Sequence, residues 1–224
     1  MANVNRVYSS LRLRRQYVLK SIFLCFLGLA MSGVFWPYRA AAEITLSKDF
    51  ANEIESAGLV FNLDVLRKFK VTRVLPNKHF KYRLALKHQR IPFEVRYAIR
   101  HLNPVKGIRT EFLLEPYVSA SIMNMARMED SDPVMTGPTA FAVDDVRAEF
   151  GADWGITSMI GTRATFSKYS TGMVSVIYLQ EKGVLAYSIY LFNGKASDET
   201  MQIIREIFYA MQFRRSAHDA VNVQ

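Results

Sequence analysis

The chain has 224 residues, a formal charge of +9 and a single cysteine. Six of its 29 Lys and Arg and none of its 20 Asp and Glu lie in residues 1–42, so residues 43–224 carry only +3. The basic character belongs to the N-terminal segment and does not mark a nucleic-acid binder. With Cys25 also in that segment, the rest of the chain is excluded from disulfides, thiolate zinc sites and thiol catalysis, and packing alone must hold its core.

Arg6, Arg12, Arg14, Arg15 and Lys20 open the chain without an acid. The apolar run 21–36 follows, then Pro37, Tyr38, Arg39 and Ala40-Ala41-Ala42. This is the order of a secretory signal peptide over residues 1–42, and it predicts cleavage between Ala42 and Glu43. The rival is an uncleaved anchor over 18–38, because the run approaches the roughly 17 to 25 apolar residues of a membrane span. Cys25 follows a bulky Leu24 inside the run and does not fit an acylation site. Residues 43–213 then suffice for one domain, and 214–224, poor in apolar residues and without periodicity, read as a flexible tail.

Ser47 is placed to cap a helix over 48–57, with Phe50, Ile54 and Ala57 at helical spacing and Gly58 as its stop. A short strand is expected over 59–63. Residues 79–87 alternate, Phe80, Tyr82, Leu84 and Leu86 against Lys81, Arg83, Ala85 and Lys87. Residues 93–99 repeat the pattern, and turn residues 88–92 join the two as a hairpin. The period becomes helical over 110–128, with a predicted core stripe of Phe112, Leu113, Tyr117, Ala120, Met123 and Met128. A loop over 129–139 and a short helix over 143–150 ending at Gly151 come next. Strands over 156–166, 173–180 and 184–192 make a meander, and Ser197 caps a closing helix whose stripe is Met201, Ile204, Ile207, Phe208 and Met211.

Hairpins with helices between and after them predict an α+β fold, an antiparallel sheet with helices packed on one face. The order of the basic hairpin ending in EVRYAIR (94–100), a long helix, FGADWG (150–155), the meander and a closing FYAMQF (208–213) resembles a family of exported bacterial proteins. That family is similar in layout to the PsbP-like and DcrB-like α/β sandwich. The resemblance covers about residues 55–213 and implies an accessory or binding role, with no catalytic residues to carry over.

No G-x-S-x-G elbow, S-x-x-K, H-E-x-x-H or glycine-rich phosphate loop occurs, and no cofactor is expected. His79, His88, His101 and His218 lack the spacing of a helical metal pair and read as solvated. Glu129, Asp130 and Asp132 form an acidic loop without the glycine and distal glutamate of an EF-hand. Trp154 suits a core or sheet-edge anchor, with ligand stacking as its alternative. An enzyme of this class would have to assemble a site from scattered residues, Asp145, Glu149, His79 and Trp154.

Charge is the informative pattern. Residues 65–109 hold 13 Lys and Arg against one acid, Glu94, so the remainder of 43–224 carries −9. Two hairpin registers keep Tyr82, Leu84 and Leu86 on the side of Val95, Tyr97 and Ile99. One sets Arg83 opposite Arg96; the other pairs Lys87 with Glu94, and cross-strand electrostatics favour it by some tenths of a kcal/mol. Either gathers Lys81, Arg83, Lys87, Arg96 and Arg100 on one outer face, predicted to be uncovered by helices. The expected function is that of an exported periplasmic or envelope binding protein whose partner is an acidic protein, lipid head group or envelope polysaccharide. The bland alternative is that these cations only protect a sheet edge from aggregation.

Overall fold

The computed structural model describes residues 44–103 and 110–214. The predicted leader and its cleavage site, Lys106, Arg109, His218 and the tail beyond Arg214 lie outside the described residues. The Ser47 hydroxyl accepts the Phe50 N–H at 3.3 Å and starts helix α1 (Lys48–Ser56), and Gly58, at φ 71°, ends it as only glycine does without strain. Strands β1 (Leu59–Phe61), β2 (Phe69–Thr72), β3 (Leu84–His88) and β4 (Glu94–His101) precede helix α2 (Thr110–Met125). A two-residue turn with Asp130 and Ser131 at positive φ links β5 (Met128–Glu129) to β6 (Asp132–Pro133). Then come β7 (Thr139–Ala140), α3 (Val143–Phe150), the strands β8 (Trp154–Gly161), β9 (Thr171–Leu179) and β10 (Val184–Phe192), α4 (Asp198–Ile207) and β11 (Met211–Phe213).

Seven strands form one antiparallel sheet in the order β2-β3-β4-β10-β9-β8-β7, while β1 and β11 pair separately. The described residues make one α+β domain, and the predicted meander is β8-β9-β10. The hairpin adopts the register favoured by charge, with Leu84 opposite Tyr97, Leu86 opposite Val95 and Lys87 opposite Glu94.

Helices cover both faces of the sheet, not one. Every residue of β10 is buried: Val184, Ala186, Tyr190 and Phe192 face α1, α3 and α4, whereas Leu185, Tyr187, Ile189 and Leu191 face α2. A central strand apolar on both sides needs a cover on each. The first face carries α1, α3, α4 and the β1–β11 pair; the second carries α2 and the 162–170 loop. The stripe predicted for α2 is also rotated. Leu114, Val118, Ile122 and Met125 are buried, while Phe112, Tyr117, Ala120, Met123 and Met128 are exposed. Phe80 and Tyr82 precede β3 and pack on the second face, away from Leu84 and Leu86. Met211 belongs to β11, and Phe208 is half-buried in a ring cluster with Phe141, Phe150, Tyr190 and Tyr209.

Candidate anion-binding surface

On the second face the register aligns three strands. Lys70 of β2 lies opposite Lys87 of β3, which lies opposite Glu94 of β4; in the next row Thr72, Ala85 and Arg96 follow one another. Glu94 and Arg96, two residues apart, share this face. Their side chains form an ion pair at 2.7 Å, and Arg96 is 4 % exposed. The guanidinium lies between the rings of Tyr82 and Phe166 at 4.5 and 4.8 Å and donates to the Phe166 carbonyl at 2.8 Å. A β4 side chain thus pins the 162–170 loop onto the sheet, and this buried pair holds only because its hydrogen bonds are made inside the protein.

The loop brings further groups to the rim. Tyr169 is 3 % exposed and its hydroxyl has no hydrogen-bond partner among the described residues. Burial, aided by the Glu94 carboxylate and opposed by Arg96, pushes the phenol up. The exposed Lys168 places its ammonium 5.4 Å from the Tyr169 ring centroid. His79 meets the Thr165 hydroxyl at 2.7 Å, and its pKa is lowered by desolvation and then by Arg163 and Lys78. Arg163 donates to the Ala126 carbonyl at the C-terminal end of α2. Among the described residues, Lys70, Lys78, Lys81, Lys87, Lys168, Arg100 and Arg163 have no acidic side chain within 4 Å.

The five predicted contact residues do not share one open face. Arg96 is internal, and its enclosure by the loop corrects its assignment to a surface. Arg83 turns instead to Glu53 of α1 at 2.8 Å, which raises its pKa. Arg100 donates to the Lys81 carbonyl at 2.7 Å and covers the Phe80 ring, leaving the Lys81 side chain exposed. Lys87 remains half-buried beside Lys70. Lys70, Lys168 and Tyr169 are the additions that sequence reasoning missed. Lys70 lies in a strand too short to show a period, and the loop reaches β4 from 70 residues away.

The residues of the enzymatic alternative do not converge either. Asp145 and Glu149 lie on α3 over the first face, with Glu149 hydrogen-bonded to the Tyr209 hydroxyl, whereas His79 sits by the loop on the second. Trp154 is half-buried against the second-face core, as an anchor would be. In the acidic turn Glu129 pairs with Arg127 at 2.7 Å, and among the described residues no three His, Cys, Asp or Glu form a metal-holding group. No helix among the described residues is long and apolar enough to cross a membrane. No protein-family model matches the chain, and no curated protein matches it.

Proposed function

We propose that the chain is an exported accessory or binding protein of the periplasm or cell envelope that engages an anionic partner through the second face of its sheet. The reading rests on the cations that the β2-β3-β4 end of the second face and its loop bring together. The helices do not separate the faces by charge, since α1, α3 and α4 on the first face and α2 on the second each carry two more acids than bases. Among the described residues, four cations without acidic partners, Lys70, Lys81, Lys87 and Lys168, lie on or beside the β2-β3-β4 end of the second face and its loop, whereas the unpaired Lys48, Arg147 and Arg205 of the first face are spread over three helices. The acids of the turn after α2, Glu129, Asp130 and Asp132, lie toward the β7–β8 end, and Glu115 is exposed on α2 itself. Such a cluster attracts anions to that end of the sheet. An antiparallel sheet with helices packed on it is compatible with the likeness to the PsbP-like and DcrB-like sandwich, from which the accessory role is taken.

The test is binding of the protein, purified from its host, to vesicles of anionic or neutral phospholipid, to an acidic polysaccharide and to polyglutamate, over a range of NaCl. Retention on anionic matrices that falls steeply with salt is expected. It should weaken when Lys70, Lys81 and Lys168 are changed to Gln and persist when Lys48, Arg147 and Arg205 of the first face are changed. Salt-insensitive retention, or loss through the first-face set, contradicts the reading.

A further inference from the structure

Within that reading, we propose that Lys70, Lys87, Lys168 and the Tyr169 hydroxyl form a site for a phosphate group. Two lysines directly opposite each other on neighbouring strands repel, and a sheet keeps such a pair at a cost unless a negative charge lies near. Glu94 is the acid within reach of Lys87, but its carboxylate is engaged by Arg96 at 2.7 Å. Lys70, Lys87, Lys168 and Arg96 against Glu94 leave a local surplus of three positive charges. A single carboxylate would neutralise one of them, whereas a phosphomonoester brings nearly two negative charges and three acceptor oxygens.

Tyr169 supplies the second, independent sign of a ligand. A buried hydroxyl without a partner is costly, and of the three tyrosines in that state among the described residues, Tyr97, Tyr169 and Tyr187, Tyr169 is the one with a lysine ammonium beside its ring. It lies within electrostatic reach of the Glu94–Arg96 pair, and the exposed Lys168 holds its ammonium 5.4 Å from the ring centroid. A phosphate oxygen entering there accepts the phenolic O–H while the three ammonium groups hold the others, as charge-assisted hydrogen bonds favour.

The experiment is calorimetric titration of the protein, purified from its host, with inorganic phosphate, glycerol phosphate and acetate. Sedimentation with vesicles of phosphatidic acid or phosphatidylcholine runs in parallel. Saturable phosphate binding, with acetate binding far weaker, is expected. K87Q combined with K168Q should weaken it about tenfold or more, and Y169F several-fold without lowering Tm, because that hydroxyl makes no internal hydrogen bond. Phosphatidic acid vesicles held much more tightly than glycerol phosphate would make a lipid head group the source; equal affinity would make it a soluble phosphoester. Absent phosphate binding, binding indifferent to K87Q with K168Q, or a lowered Tm in Y169F overturns the site. If salt-sensitive retention on anionic matrices survives that result, the broader reading stands without it; if retention is lost as well, both fall.

Discussion

The two faces of the sheet solve the same burial problem with different materials. On the first, Phe141, Phe150, Tyr190, Phe208 and Tyr209 interlock ring against ring, and Ile203, Ile204 and Ile207 of α4 complete an apolar layer. On the second, an ion pair is buried with the core, a loop is fastened to it by one arginine, and Lys70, Lys87 and Lys168 lie on the neighbouring strands and the loop. Apolar packing asks only for volume and tolerates repacking, whereas a buried pair is worth having only while both partners are present. A change on the first face therefore affects stability alone, whereas one on the second also reaches the proposed binding surface.

The largest effect is expected from Arg96→Met, which strands Glu94 and frees the 162–170 loop. Urea denaturation should show a loss of about 3 to 5 kcal/mol, much of it recovered when Glu94→Leu is added. Phe150→Ala on the first face should cost a similar amount, about 3 to 5 kcal/mol, but no second substitution that merely removes a charge restores it. The loss at Phe208→Ala should be smaller, since that ring is half-buried. Next comes Gly155→Ala. A Cβ there would stand 2.7 Å from the Phe141 ring, so overpacking of about 1 to 3 kcal/mol is expected in the same assay.

A weaker effect sharpens the contrast at His88. Its Nδ1 accepts the N–H groups of Arg90 and Ile91 at 3.3 and 3.2 Å and so closes the β3–β4 turn. Desolvation lowers its pKa; Lys68 and Arg90 add to this, and Glu199 and Glu206 oppose it. Because the native value lies below the unfolded one, near 6.5, the unfolded chain binds the proton first as pH falls. Stability should be full above about pH 6.5, decline as pH drops through that value, and level off below the lowered native one. His88→Gln should remove that part of the slope in denaturation curves across pH. The smallest effect, of opposite sign, belongs to Tyr97→Phe. The Tyr97 hydroxyl is buried without a partner, and removing it should leave stability unchanged or raise it by about 1 kcal/mol, with anion binding unaffected.

The sequence is most legible where turn chemistry and alternation agree. Gly151, in left-handed conformation with the Phe213 carbonyl 2.8 Å from any Cβ, ends α3 where expected, and β10 keeps its predicted bounds beside its glycine turn. The hairpin register follows from a single acid among many bases. Helix α2 misleads because it is apolar nearly all round, so its spacing carries no phase. Strand β11 hides in a continuation of the α4 pattern. Arg96 reads as an outward strand residue because alternation shows which side it takes, not what covers that side.

An anion should touch the second face of the sheet and leave the first untouched. Hydrogen exchange should be compared with and without an anionic ligand, either phosphate or phosphatidic acid vesicles. Slowed exchange is expected in 69–72, 84–88 and 163–170, with α1, α3 and α4 unchanged. Protection confined to those three helices, with the second-face segments exchanging as before, would contradict it.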